Sequence, residues 1–217
     1  LTSGYSYTTL DTDLSGSRVF EPTVPTTPLA GFLGLTGGSA LREYVFTLNL
    51  QAMPWDNFTI VPSIRAQKQD INGMSIFANT YPVGPPEDLS AQNENDYLEV
   101  SGRLEARYTG LTNWVFYARG DWVQGDGDQM EQQIALATGA LQLLRDTDYT
   151  RFTQQYTAGL NWYPVRKLNL SGQYYHKTRD NDYDHITRVS TLGGLYPAFL
   201  QTQDFETDDL NVRINWR

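Results

Sequence analysis

The stretch LNWYPVRKLNLSGQYYHKTRDNDYDH, Leu160 to His185, joins three patterns that decide the fold. A break containing Pro164 precedes a run in which apolar and polar residues alternate, and that run ends in a segment rich in Asp. Strict alternation over four or more residues is typical of a β-strand with one apolar and one polar face. The stretch therefore predicts a turn, an amphipathic strand and a polar connection, in that order.

The same alternation recurs along the chain and predicts about eight strands. They cover residues 3–10, 43–51, 58–67, 98–108, 114–122, 151–162, 168–177 and 209–216. Pro62 interrupts the third of these runs. Because proline cannot donate a hydrogen bond to a strand ladder, we expect a bulge or a sheet edge at that position.

The connections between the predicted strands alternate strictly between short and long. Short breaks fall at residues 52–57, 109–113 and 163–167, and long polar loops are predicted near residues 11–40, 68–96, 124–148 and 180–207. Tight turns at one end and long loops at the other are typical of transmembrane β-barrels, whose tilted strands need about 9–11 residues. We therefore predict an all-β fold over residues 1–217, an antiparallel up-and-down transmembrane β-barrel or a segment of one.

Composition excludes several classes of function. The chain has no cysteine, so it has no disulfide, no thiolate metal ligand and no attachment site for a c-type haem. A net charge of −9 argues against a nucleic-acid partner. No run approaches the roughly 18 apolar residues of a membrane-spanning helix. With only two histidines and no GxSxG motif, we predict neither a catalytic residue nor a cofactor.

Aromatic residues concentrate at the ends of the predicted strands. Trp55, Trp114, Trp162 and Trp216 sit beside the short turns, and Trp122 lies towards the long-loop end of its strand. Aromatic girdles mark both interfaces of membrane barrels, because these rings have one apolar and one wet side. We therefore predict from their collective placement that these five Trp lie at the membrane interfaces, although each of them alone is more typical of a protein core.

Charged residues recur on the opposite face of the same strands, where we predict a water-facing lumen. This face is too charged for a protein core, and its composition fits either an open pore or a filled barrel held by ion pairs. The predicted lumen-facing residues are Arg65, Glu99, Arg103, Glu105, Arg107, Arg119, Asp121, Arg151, Lys177, Arg179 and Arg213.

Two long connections carry patterns of their own. Asp180, Asp182 and Asp184 alternate as in a calcium loop, but His185 and Thr191 stand where an EF-hand needs Gly and Glu. They are weak metal-binding candidates against the simpler interpretation of solvated loop acids. In residues 129–145 the apolar positions recur at helical spacing, which predicts a short amphipathic helix. Its apolar positions are Met130, Ile134, Ala137, Leu141 and Leu144.

A faint repeat bears on the size of the barrel. Leu160-Asn161-Trp162 recurs as Ile214-Asn215-Trp216. The first copy is followed by a tight turn, and the second by Arg217 alone. By this analogy we expect these residues to be a segment of a larger barrel.

The chain resembles outer-membrane β-barrel porins of Gram-negative bacteria. Gly159-Leu-Asn-Trp-Tyr-Pro-Val-Arg-Lys-Leu-Asn-Leu-Ser-Gly-Gln-Tyr, leading into Arg179-Asp-Asn-Asp-Tyr, is similar to hairpins of the decahaem-associated porins. Those porins sheathe multihaem cytochromes in extracellular electron conduits. The resemblance implies a location in the Gram-negative outer membrane, in contact with the lipid bilayer and lipopolysaccharide. It also implies a multihaem cytochrome, or another envelope protein, as a partner.

Three functions remain open from the sequence. The first is an outer-membrane barrel whose polar lumen passes solutes or houses a partner protein. The second is a structural or adhesive barrel that acts through its acidic surface loops. The third is a soluble, secreted β-protein that binds glycans through its aromatic residues.

Overall fold

The computed structural model describes residues 1–19, 31–80, 85–190 and 200–216, and these fold almost entirely into strands. The strands are β1 (Thr2–Val19), β2 (Gly31–Asn49), β3 (Ala52–Trp55), β4 (Phe58–Thr80), β5 (Glu87–Tyr108), β6 (Trp114–Ala135), β7 (Ala140–Val165), β8 (Leu168–Ser190) and β9 (Thr202–Trp216). Among the described residues, no helix is long and apolar enough to cross a membrane.

The strands form one antiparallel up-and-down sheet. Each long strand pairs with its neighbours in sequence, in the order β1-β2-β4-β5-β6-β7-β8-β9, and the short β3 pairs with β4. The predicted all-β, up-and-down fold is therefore confirmed, with eight long strands and one short one among the described residues. Within the described part of the chain β1 and β9 pair with one neighbour each, so the sheet has two open edges there.

Three short turns lie side by side at one end of the sheet. They fall between β3 and β4, β5 and β6, and β7 and β8. Asn57 and Asn113 adopt positive φ values of 63° and 68°, which asparagine tolerates better than most residues. Each asparagine carbonyl accepts a hydrogen bond from the next connection along, from the Thr109 and Tyr163 amides, both at 2.8 Å. These bonds tie neighbouring turns to one another.

Pro62 lies opposite the gap between β2 and β3, where the expected bulge or sheet edge is not found: the register is the same on both sides of the gap, and Pro62 pairs with Leu104 on β5. The β2–β4 ladder ends at Asn49 and Ser63, and the β3–β4 ladder resumes at Ala52 and Ile60. The Pro62 carbonyl accepts a hydrogen bond from the Leu50 amide at 3.0 Å. Since the two backbone polar groups of a strand residue point to the same side, the missing N–H of Pro62 faces the gap between β2 and β3.

The segments predicted as long loops are largely strand, and that part of the prediction needs correction. β4 runs to Thr80 and β5 begins at Glu87, while β6 runs to Ala135 and β7 begins at Ala140. Inside residues 11–40 and 180–207 the strands likewise continue to Val19 and Ser190 and resume at Gly31 and Thr202. Strands with polar residues on both faces show little apolar–polar alternation in the sequence. Their backbone N–H and C=O groups nevertheless pair with the neighbouring strands.

The helix predicted in residues 129–145 is wrong. Met130 pairs with Asp146 and Ile134 with Leu141, across a turn that contains Gly139 at φ 68°. Three features together imitate helical spacing: Met130 and Ile134 share a face of β6, Ala137 lies in the turn, and a register shift at Gln142 separates Leu141 from Leu144 by three residues. Hydrogen bonding to β5 and β8 on either side favours the hairpin over an isolated short helix, which is marginal in water.

Candidate functional site: the two faces of the sheet

Strand register sorts side chains onto two faces, because directly paired residues point to the same side of an antiparallel sheet. One face, here called the band face, carries apolar residues in consecutive rows across β4 to β9. One such row is Ile60, Ala106, Ala118, Ala158, Tyr174 and Leu210, and the next is Phe58, Tyr108, Phe116, Leu160, Gly172 and Val212. These rows form a continuous apolar band near the short turns.

The apolar band is exposed. Leu210 is 74% and Trp216 72% exposed, and Ile64 and Leu104 on the inner strands remain 52% and 45% exposed. Soluble proteins rarely expose contiguous apolar patches larger than a few hundred Å². A band that crosses the six strands from β4 to β9 therefore needs an apolar environment.

The register places all five predicted interface Trp on the band face. Trp114 stacks on Trp162, with ring centroids 5.1 Å apart, at the short-turn end. Trp216 pairs with Leu168 at the same end, and Trp55 packs on Phe58 across a short turn. Trp122 lies at the opposite border, where its indole N–H donates to the Tyr156 hydroxyl at 3.1 Å. Their role at membrane interfaces stays a prediction.

The register places all eleven predicted lumen residues on the opposite face, here called the arginine face. Arg103 pairs directly with Asp121, Glu105 with Arg119, and Arg151 with Asn181. The members of this set are Arg65, Glu99, Arg103, Glu105, Arg107, Arg119, Asp121, Arg151, Lys177, Arg179 and Arg213. That this face lines a lumen stays a prediction.

Asp121 brings two of these arginines together. Arg103 Nε donates to Asp121 Oδ1 at 2.7 Å, and Arg119 Nε donates to Asp121 Oδ2 at 2.6 Å. Beside this triad, a polar groove of about 320 Å³ is lined by Arg65, Glu99 and Arg103, among others. The groove offers both signs of charge to a solute.

A second pair of arginines shares an uncharged acceptor, and sequence reasoning missed it. Arg151 Nε and Arg179 Nε both donate to Asn181 Oδ1, at 3.4 and 3.1 Å. Asn181 lies between Asp180 and Asp182, which the sequence grouped as metal candidates. Strand alternation was the signal available, because it turns Asn181 to the face opposite its two acidic neighbours.

Aromatic residues cover the arginine face beyond the level of the band, and these too were missed. Tyr97 stacks with Tyr149 at 5.8 Å, and Tyr149 with Tyr183 at 6.3 Å, between centroids. Burial, together with the hydrogen bond from its hydroxyl to Glu99, raises the pKa of Tyr97 to about 12. Tyr97 therefore stays a neutral hydrogen-bond donor throughout the physiological range.

The structure does not bring Asp180, Asp182 and Asp184 together. They are alternate residues of β8 on the band face, opposite Phe152, Thr150 and Asp148. Among the described residues, one other set holds three potential metal ligands within 4.8 Å of one another: His176, Glu206 and Asp208. Hydrogen bonds from Tyr174 and His176 hold the pKa of Asp208 below its usual range.

Acidic residues dominate the band face beyond the apolar rows. Five aspartates on β4 to β8 stand directly opposite one another across the strands: Asp70, Asp96, Asp128, Asp148 and Asp184. Like charges in this position are destabilising. Local desolvation and the neighbouring Asp148 and Asp96 carboxylates raise the pKa of Asp128.

No protein-family model matches the chain, and no curated protein matches it. Among solved structures the chain is similar to the copper transporter OprC, with a TM-score of 0.44, 10% identity, and coverage of 98% of this chain and 42% of that one. It is also similar to the ferric yersiniabactin uptake receptor FyuA from Yersinia pestis, with a TM-score of 0.40, 10% identity and the same coverage. The chain spans less than half the length of either protein.

Proposed function

We propose that the chain forms the wall of an outer-membrane β-barrel. Its band face lies against lipid, and its arginine face lines a water-filled lumen that passes solutes. The observation that supports this best is the apolar band, which is continuous across the strands, exposed, and backed by a charged face. Transmembrane barrels show this arrangement, apolar outwards and polar inwards, with a dyad alternation along each strand.

The height of the band agrees with a bilayer. On β5 it extends from Val100 to Tyr108, about nine residues, and a tilted membrane strand needs about 9–11. The strands themselves are 22 to 26 residues long from β4 to β8. We infer that the short turns face the periplasm and that the remaining strand length projects outwards as extended hairpins.

Fractionation and conductance test this function. We expect the protein in the outer-membrane fraction, released by detergent but not by salt or alkali, and we expect it to give stepwise current in planar bilayers. Recovery in the soluble fraction without detergent would defeat the barrel and favour the glycan-binding alternative. Membrane recovery without any open-pore current would defeat the solute path.

The acidic hairpins favour a second candidate function. The aspartate row and the His176, Glu206 and Asp208 cluster lie beyond the band, where a surface-adhesive barrel would present them. Adhesion of cells that express the wild-type chain, compared with cells expressing a variant in which the five row aspartates are Asn, measures this directly. Equal adhesion would remove the candidate.

The narrower hypothesis of a multihaem cytochrome in the lumen rests on the hairpin similarity alone. A cytochrome held inside the barrel would co-purify in detergent at a fixed ratio and show a haem Soret band. A barrel purified from cytochrome-containing cells without that band would contradict it. We assign no catalytic step to the chain.

A further inference from the structure

The two shared-acceptor arginine pairs of the arginine face have the same architecture and different charge. In each pair, two Nε atoms donate to one short side chain. At the first the acceptor is the Asp121 carboxylate, which offsets one positive charge. At the second the acceptor is the neutral amide oxygen of Asn181, so both guanidinium charges remain. The second pair therefore lacks an anion that the first one has.

Asn181 is buried, and both the oxygen and the nitrogen of its side-chain amide form hydrogen bonds. Its side chain is 1% exposed, and its amide nitrogen donates to the Gln203 carbonyl of β9 at 2.9 Å. This bond fixes which way the amide faces, with Oδ1 towards Arg151 and Arg179. The ion pairs found among the described residues involve neither arginine.

The two guanidinium groups are also held from the side. Arg151 Cζ lies 6.0 Å from the centre of the Tyr97 ring, and Arg179 Cζ lies 6.0 Å from the centre of the Phe205 ring. With each Nε committed to Asn181, the terminal Nη groups remain as donors in a fixed fork. Lys177 is the next residue but one on the same face of β8 and adds a third cation.

We propose that Arg151 and Arg179, oriented by Asn181, form a clamp for an oxyanion of the phosphate class, either inorganic phosphate or the phosphate group of a small organic solute. Guanidinium forks match phosphate oxygens with paired N–H···O bonds, and two of them balance a doubly charged group. The clamp rests on the proposed function in one respect, because solutes reach it through the lumen. It lies just beyond the level of the band, where Phe152 occupies the other face of β7.

A binding titration tests the clamp without requiring a pore. Inorganic phosphate is titrated calorimetrically into the full chain in detergent at constant ionic strength, with chloride as the reference anion. We expect one phosphate per chain, and affinities lower by roughly tenfold or more for Arg151→Gln and Arg179→Gln, since each removes about one charge-assisted contact. Asn181→Asp places a carboxylate where the anion's charge is needed and is expected to weaken binding equally.

Arg42→Gln is the matched control. It removes the same charge from the band face, where Arg42 pairs with Thr9 and Asp70. It is expected to leave phosphate affinity within about twofold of wild type. Absence of phosphate binding by the wild type would overturn the clamp. Equal losses of phosphate affinity in Arg42→Gln and Arg151→Gln would also overturn it, because they would show that binding depends only on the overall positive charge.

A parallel titration with glycerol phosphate separates the two sources of the phosphate group. Tighter binding of glycerol phosphate than of inorganic phosphate identifies an organic solute.

Planar-bilayer current keeps this result distinct from the proposed function. Phosphate binding without current supports the clamp and defeats the solute path. Current that phosphate does not block, together with no calorimetric binding, supports the path and defeats the clamp. Current that phosphate blocks in the wild type but not in Arg179→Gln supports both.

Discussion

Tyrosine rings on the arginine face lie over glycines of the neighbouring strand. A Cβ built on Gly127 would meet Tyr149 Cζ at 2.2 Å, and one on Gly125 would meet the Tyr97 hydroxyl oxygen at 2.1 Å. Only a residue without a side chain leaves room for these rings. The stacked tyrosines therefore depend on glycines that no apolar pattern marks as important.

Substituting one of these glycines should destabilise the fold. For Gly127→Ala we expect a loss of about 1–3 kcal/mol in the free energy of unfolding, the usual cost of overpacking, because the ring of Tyr149 must move. Gly102→Ala on the band face is the control, since nothing lies within 4 Å of a Cβ at that position. Urea unfolding of the refolded protein, followed by tryptophan fluorescence, measures both. A larger loss for Gly102→Ala would contradict the packing described here.

Alternation predicted the face of every charged lumen candidate, yet it could not predict their contacts. Arg103 and Asp121 are predicted to share a face from each strand alone, but their 2.7 Å contact depends on the register between β5 and β6. Asn181 needs the register of three strands, because it meets Arg151 on β7 and Gln203 on β9. The apolar–polar pattern of one strand does not determine its register against another strand.

At the scale of the strands, extension beyond the apolar band is the main departure from expectation. The β6–β7 hairpin continues above the band through polar pairs such as Gln129 with Thr147 and Asp128 with Asp148. The arginine face stabilises it, through the Glu131–Arg145 ion pair and the stack of Tyr149 on Tyr183. On the band face, the row of five aspartates destabilises the hairpin, because like charges stand opposite one another.

Acidification should stabilise this hairpin. A carboxyl whose pKa is raised by folding costs stability while it is ionised in the folded state. As pH falls through the raised pKa of Asp128 towards its ordinary value of 3.8, the folded state takes up the proton first and the cost is relieved. We therefore expect Asp128→Asn to be more stable than wild type at pH 7, with the difference shrinking towards pH 4.

Thermal unfolding in detergent across this pH range measures the effect. Asp126→Asn is the control, because Asp126 faces Leu98 and Thr150 rather than another carboxylate. If Asp128→Asn and wild type differ by the same amount at pH 7 and pH 4, Asp148 does not repel Asp128.

At the scale of the whole molecule, the two faces of the sheet suit different surroundings, because the band face is apolar and the arginine face is charged. A charge introduced on the band face should behave differently in lipid from the same charge on the arginine face. For Leu104→Arg we expect a loss of about 2–4 kcal/mol in lipid, the cost of Arg near the bilayer midplane. Ser101→Arg, on the arginine face of the same strand, should cost much less.

Unfolding from lipid bilayers by denaturant gives both values. A negligible effect of Leu104→Arg would mean that the apolar band faces water, and the membrane interpretation of the fold would fail. A smaller effect in detergent micelles, which deform around a charge, is expected.

The sequence predicts the band itself well, because apolar alternation is strongest there. It predicts the outer half of the sheet poorly, because residues such as Asn93, Gln129 and Thr147 pair through their backbones and leave no apolar signal. Helical spacing in residues 129–145 arises from strand alternation on β6, the turn, and a register shift on β7, a combination that no local pattern distinguishes from a helix.

The nearest-neighbour topology has a consequence for how such a molecule is built and altered. Each long strand pairs with the long strand that precedes it in the chain, and its other edge then offers unpaired backbone groups to the next strand. Assembly can therefore proceed hairpin by hairpin as the chain is delivered. Duplication or loss of one hairpin would change the number of strands in the sheet while leaving every other strand pair intact. The recurrence of Leu-Asn-Trp as Ile-Asn-Trp, at the same end of β7 and β9, is the trace such a history would leave.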